Sequence, residues 1–278
     1  MPRTEVLRHE VSNECFFIKS IKAVFLSFVI CSLVICHSSP ALAVAYDGIW
    51  FLGFNLQKPP FDNLKVRQAA AHTISLSYIA ANIFAETNPT TSYVPPGMLG
   101  YDETLKPFKR NVKYAKTLMK RAKYSLNNPL LKNISLLHTD GVKTTMAAQR
   151  IQKDLKQIGI NVTLVQMNYW DEAGWSRELE SKKHQLFLMG YKAEIDKLFT
   201  QEAIAAETNS AGLLGPLFKT AGEANLTGYS NPTVDMLLDQ AAVIAPTMRT
   251  ERELKFREIN RLVYKDLPLL VLFYIEKL

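Results

Sequence analysis

Apolar residues return at helical spacing along 112–122. Val112, Ala115, Leu118, Met119 and Ala122 share one face there while lysines and arginines take the others, which predicts an amphipathic helix lying on a core. A second helix is expected over 144–158, with Ala147, Ala148, Ile151, Leu155 and Ile158 turned inward. Gly159 is placed to close it just beyond the C-cap, where a left-handed backbone costs glycine little. Shorter runs of different period lie between and around these helices. Ile134 to His138 reads as an apolar strand, and Ile160, Val162 and Leu164 alternate as a strand does. After a helical stretch over 171–182, Leu186-Phe187-Leu188-Met189 is a continuous apolar strand. The succession is βαβαβ. It predicts an α/β fold with a mainly parallel sheet flanked by helices, and ligands beyond the carboxyl ends of the strands.

Upstream, the aromatic strand Trp50-Phe51-Leu52-Gly53-Phe54-Asn55 runs into Lys58-Pro59-Pro60-Phe61-Asp62-Asn63-Leu64-Lys65-Val66-Arg67-Gln68-Ala69. Two prolines cannot donate to a ladder and so end the strand, and Asp62 is expected to accept backbone N–H groups at the start of the next helix. Near the other end, Ser230 or Asn231 can cap a helix whose first residue is Pro232, a position where proline loses no needed donor.

Composition narrows the class. A chain of 278 residues with 47% hydrophobic and 21% charged residues is globular and can bury one or two cores. Its formal charge of +7 would attract polyanions, but the lysines are dispersed over amphipathic helices and no nucleic-acid-reading motif is present. No nucleic-acid partner is expected.

Residues 1–43 differ from the rest. A polar start with Lys19 and Lys22, an apolar run from Ala23 to Cys36 and the small-residue ending Ala41-Leu42-Ala43 have the three parts of an export signal. Cleavage would follow Ala43, and retention of the segment as a membrane anchor is the alternative. Cys15, Cys31 and Cys36 all fall in this leader, so residues 44–278 contain no cysteine for a disulfide or thiolate metal site.

Catalytic signatures are absent. The sequence has no Gly-x-Ser-x-Gly elbow, His-Glu-x-x-His pair, phosphate loop or dinucleotide fingerprint. The five histidines are not spaced as ligands on one element. A non-enzymatic protein without metal or cofactor is expected.

Four segments carry a family resemblance, and they occur in the family's order. They are the passage from Lys58 to Ala69, Tyr93-Val94-Pro95-Pro96-Gly97 with Gly100-Tyr101-Asp102, Asp154-Leu155-Lys156-Gln157-Ile158-Gly159-Ile160-Asn161-Val162, and Asn225-Leu226-Thr227-Gly228-Tyr229-Ser230-Asn231-Pro232-Thr233-Val234-Asp235. Together they resemble family 5 of the extracellular solute-binding proteins of ABC transporters, whose members take peptides, nickel complexes and similar solutes. The resemblance implies a periplasmic-binding-protein-like fold (type II, cluster C). It implies that residues 44–278 form the C-terminal lobe, with the N-terminal lobe absent from this chain.

Two site residues follow from the same resemblance. In peptide-binding members the loop after the last strand of the βαβαβ unit holds an aromatic residue and, three positions on, an aspartate that pairs with the peptide ammonium; Tyr191 and Glu194 stand there in this chain. Lys192 departs from the pattern, as it could repel an ammonium or pair with Glu194. The bland reading is a solvated lysine–glutamate pair. Tyr169, Trp170 and Trp175 form a second aromatic candidate surface, or else pack on the sheet. Arg67 and Tyr229 are expected to be structural, pairing with a carboxylate across the lobe and anchoring a loop. The implied partners are a peptide or other small solute, the permease and ATPase subunits of an importer, and a separate polypeptide supplying the N-terminal lobe. The implied location is outside the cytoplasmic membrane. An interaction module or remnant that binds no solute is the alternative.

Overall fold

The computed structural model describes residues 46–85, 92–193, 210–245 and 247–277. Residues 1–43, for which an export signal is expected and which hold the three cysteines, and Glu194 lie outside the described residues. The chain enters on β1 (Tyr46–Phe54), then folds α1 (Leu64–Thr73), the short α2 (Leu76–Ile79) continued as a π-turn to Phe84, and α3 (Val112–Arg121). Next come β2 (Ile134–Thr139), α4 (Val142–Leu155), β3 (Val162–Met167), α5 (Glu172–Glu180) and β4 (Leu186–Lys192). After α6 (Ser210–Phe218), α7 (Pro232–Val243) and α8 (Arg249–Asp266), β5 (Leu269–Glu276) closes the fold.

The five strands form one sheet in the order β3-β2-β4-β1-β5. β2 pairs in parallel with both β3 and β4, as the βαβαβ pattern required, whereas β1 runs antiparallel to β4 and to β5. The sheet is therefore mixed, and only its βαβαβ half is parallel. The reason lies in the connections: β2, β3 and β4 are linked by single crossover helices, which return the chain in the same direction. β1 and β5 are reached through longer multi-helix excursions, which impose no such constraint.

Side-chain alternation loads both faces of the sheet. Leu52, Phe54, Leu136, Leu186, Leu188, Leu270 and Leu272 face a core with α1 to α4, where the expected inward residues Ala115, Leu118, Met119, Ala147, Ala148, Ile151 and Leu155 are all buried. Ile49, Phe51, Leu137, Phe187 and Val271 face a second core with α6, α7 and α8. The architecture is a sheet between two helical layers. Gly159 closes the α4 turn at φ 85°, in the left-handed region that the sequence assigned to it.

Capping agrees with the sequence at one helix and differs at another. Asn231 accepts from the N–H groups of Thr233 and Val234 and starts α7 at Pro232. At α1 the cap is Asn63, whose Oδ1 accepts from Lys65 N at 2.9 Å, and not Asp62. The turn after the prolines consumes one residue more than the local pattern suggested.

Two of the resembling segments meet around the end of α8. The buried Arg67 guanidinium donates to the carbonyls of Phe61, Asp62, Asp266 and Leu267, so its partners are main-chain oxygens rather than a carboxylate. The Tyr229 hydroxyl reaches the Asp266 carboxylate and ties its loop to α8, the anchoring role expected of it. A third segment is clasped by Asn260 on α8, which accepts from Tyr93 N and donates to Ser92 Oγ and Gly100 O.

Candidate functional site

Where a parallel sheet ends, its strands open into loops, and here those loops surround an open depression of about 550 Å³. The floor is built by cross-strand pairing. Trp50 on β1 lies opposite Gly190 on β4 and opposite Phe273 on β5. Gly190 has no side chain, so the indole lies over it; a Cβ there would come within 2.7 Å of Trp50 Cδ1. Trp50 also stacks on Phe273 with ring centres 5.4 Å apart, and Phe84 packs against both. A large aromatic fixed over a glycine on the neighbouring strand gives a rigid apolar platform.

The walls come from three loops. Thr139, Gly141 and Thr144 mark the passage from β2 into α4, Tyr169 comes from the β3–α5 connection and Trp175 from the first turn of α5, and Ile275 comes from the end of β5. Asp140 Oδ1 accepts from Tyr169 N at 2.8 Å, and Asp140 N donates to Met167 O at 2.9 Å, which locks the first two loops together. Asp171 caps α5 through Gly174 N and holds the turn that presents Trp175. The N-cap of α4 is Gly141, which has no side chain to offer, so no cap side chain accepts from that helix's first-turn N–H groups.

The foot of α5 is clipped to the sheet. Glu178 accepts from Lys183 Nζ and contacts His184 Nε2, both at 2.6 Å, and His184 Nδ1 lies 3.0 Å from Ser135 Oγ on β2. The hydrogen bonds from Lys183 and His184 hold the Glu178 carboxyl below its usual range. This clip lies less than one helical turn from Trp175 and fixes the helix that carries it.

The sequence-derived candidates are distributed as follows. Tyr169 and Trp175 line the depression. Trp170 is 84% exposed beside it, its ring edge-on to Tyr169 at 5.1 Å, and is not packed on the sheet. Tyr191 alternates to the opposite face, partly buried against the second core. Lys192 alternates back to the depression, where its ammonium pairs with Asp47 Oδ2 and donates to the Glu276 carbonyl, each at 3.3 Å. Sequence reasoning missed Trp50, Asp47 and Ile275, because the strand pairing that unites them was not legible locally. Among the described residues no cluster of His, Asp or Glu could hold a metal ion, and no helix is long and apolar enough to cross a membrane.

The described residues form an α/β fold with an aromatic-floored depression at its strand ends, the place where such sheets take ligands. Residues 37–200 match the bacterial extracellular solute-binding proteins, family 5, middle region, and the chain belongs to that family. It is 28% identical over 230 residues to the probable deoxycholate-binding periplasmic protein YgiS of Escherichia coli, covering 81% of this chain and 39% of that protein. It is 27% identical over 244 residues to the glutathione-binding protein GsiB of Salmonella choleraesuis, covering 82% of this chain and 42% of that one. The chain thus spans about two-fifths of the length of these curated relatives. Its fold is similar to part of HbpA2 from Haemophilus parasuis, with a TM-score of 0.70 at 20% identity over 84% of this chain and 43% of the other. It is similar in the same way to part of DppA from Helicobacter pylori in complex with the peptide STSA, with a TM-score of 0.67 at 21% identity over 92% of this chain and 50% of that one.

Proposed function

We propose that this chain supplies one lobe of an extracytoplasmic solute-binding protein that delivers peptides or similar small solutes to an ABC importer. The observation that carries the reading is the depression of about 550 Å³, floored by Trp50 and walled by Tyr169 and Trp175, at the strand ends of a family 5 lobe. Aromatic walls suit solutes of varied sequence because they offer contact area without demanding one hydrogen-bond pattern. The names of the relatives, which cover glutathione, deoxycholate and di- or tripeptides, support solutes of this size.

In this reading Glu194 is the acceptor for a solute ammonium, Trp170 borders the site, Tyr191 supports the strand from its other face, and the opposite wall of the clamp comes from polypeptide beyond this lobe, on a separate chain. The permease and ATPase of the importer are its further partners. Residues 1–43 serve as the export signal or membrane anchor and residues 44–278 as the lobe.

Thermal unfolding with a panel of di- and tripeptides tests the function. A rise in melting temperature that Trp175→Ala removes and Glu194→Gln weakens is expected. A melting temperature indifferent to every peptide, both for the chain alone and with a relative's N-terminal lobe added, would leave only an interaction module and overturn the proposal. Mass spectrometry of the exported chain should find Val44 at the start if the leader is cleaved.

A further inference from the structure

The only charged side chain among the described residues that line the depression is a cation, Lys192. On β4 it continues the row of Leu188 and Gly190 beneath the Trp50 indole, at the end where β1, β4 and β5 converge. We infer that Lys192 reads an anionic group on the solute, a carboxylate, while the platform of Trp50 and the walls of Tyr169 and Trp175 take its apolar body. The inference rests on the solute-binding reading above and adds to it the charge at one pole of the ligand.

Three observations support it. First, the Lys192 ammonium is positioned rather than free to swing: Asp47 Oδ2 and the Glu276 carbonyl each receive it at 3.3 Å. An ammonium has three N–H donors, so these two acceptors leave one for the depression that Lys192 lines. Second, Asp47 does not itself line the depression. Its side chain is only 15% exposed, and its other oxygen, Oδ1, is buried without a hydrogen-bond partner. The carboxylate thus stands behind the ammonium as a fixed counter-charge and does not compete for a cationic ligand. Third, a second cation lies at the edge of the platform, since Lys143 Nζ is 6.0 Å from the centre of the Phe84 ring that packs on Trp50. A carboxylate entering there meets an oriented cationic donor, and charge-assisted hydrogen bonds are stronger than neutral ones.

The anionic group read by Lys192 is chemically distinct from the ammonium assigned to Glu194, and the test isolates it. Isothermal titration of the full chain compares N-acetyl-dileucine, which has a carboxylate and no ammonium, with N-acetyl-dileucinamide, which has neither; free trileucine reports the solute site as a whole. The carboxylate ligand should bind about tenfold more tightly than its amide, the range of a hydrogen bond to a charged group. Lys192→Met should reduce N-acetyl-dileucine to the affinity of the amide, and Lys192→Arg should keep the preference, which guards against a loss caused by leaving Asp47 unpaired. If trileucine binds but the two acetylated ligands bind alike, or if the preference survives in Lys192→Met, the role of Lys192 is wrong while the solute site stands. If none of the three ligands binds, the solute-binding reading and this inference fall together.

Discussion

The phenol of Tyr229 donates to the Asp266 carboxylate at 2.6 Å, and the same oxygen receives the Asn231 amide at 2.9 Å. One carboxylate at the end of α8 thereby anchors both the Tyr229 loop and the residue that caps α7. Tyr229 is 3% exposed, so Tyr229→Phe deletes a buried hydrogen bond and should cost about 1–2 kcal/mol in denaturant unfolding. The pH dependence follows from the same contact. Burial, then the Asp266 carboxylate, push the Tyr229 phenol well above its ordinary value of 10.0, so folding favours the neutral phenol. That contribution is complete below about pH 10, where the unfolded phenol is also neutral, and is lost as pH rises further. Tyr229→Phe should therefore lose stability less steeply than the parent protein between about pH 10 and 12, as read from melting temperatures.

Arg67 gives a second prediction. Its guanidinium serves four carbonyl oxygens on two segments, Phe61–Asp62 and Asp266–Leu267. Arg67→Met would leave those acceptors without donors and should destabilise the lobe by about 3 kcal/mol or more. Arg67→Lys should recover little, because a single ammonium cannot reproduce the planar fork. Chemical denaturation of both variants measures the difference.

Asp102 sets the response to acid. Burial pushes its carboxyl up, but hydrogen bonds from Thr104 and Arg261 outweigh this and bring it down to about 2. A carboxyl depressed in the folded state contributes stability that is present above its unfolded pKa of about 3.9 and is lost as pH falls through the folded value. Stability should decline between about pH 5 and pH 2, and Asp102→Asn should flatten that decline while starting lower at neutral pH. A pH series of melting temperatures distinguishes the two proteins.

Local pattern revealed much of this fold. The period of 112–122 and 144–158, the glycine at 159 and the apolar run at 186–189 each follow from rules acting over a few residues, and the structure holds all of them. The direction of β1 was not legible, because antiparallel pairing with β4 depends on a path through five intervening helices and two strands. The same holds for the site. Tyr169 and Trp175 were found because aromatic residues beside a strand end are a local signal. Trp50 was read only as part of a strand, since its role depends on facing Gly190 across the sheet. Asp47 was invisible for the same reason: its partner Lys192 is its neighbour only through strand register.

That register supplies the last prediction. Gly190→Ala would set a Cβ 2.7 Å from Trp50 Cδ1 and 3.1 Å from Ile275 Cδ1, so the indole must leave its seat. Overpacking of this kind should cost about 1–3 kcal/mol, shift the tryptophan emission and weaken any solute that rests on the platform. Gly215→Ala in α6 is the matched control, since its Cβ would have nothing within 4 Å. It should raise stability by about 0.5–1 kcal/mol through helix propensity and leave the emission unchanged. If both variants behaved alike in fluorescence and stability, the Trp50 platform would not be the rigid floor that the cross-strand geometry describes.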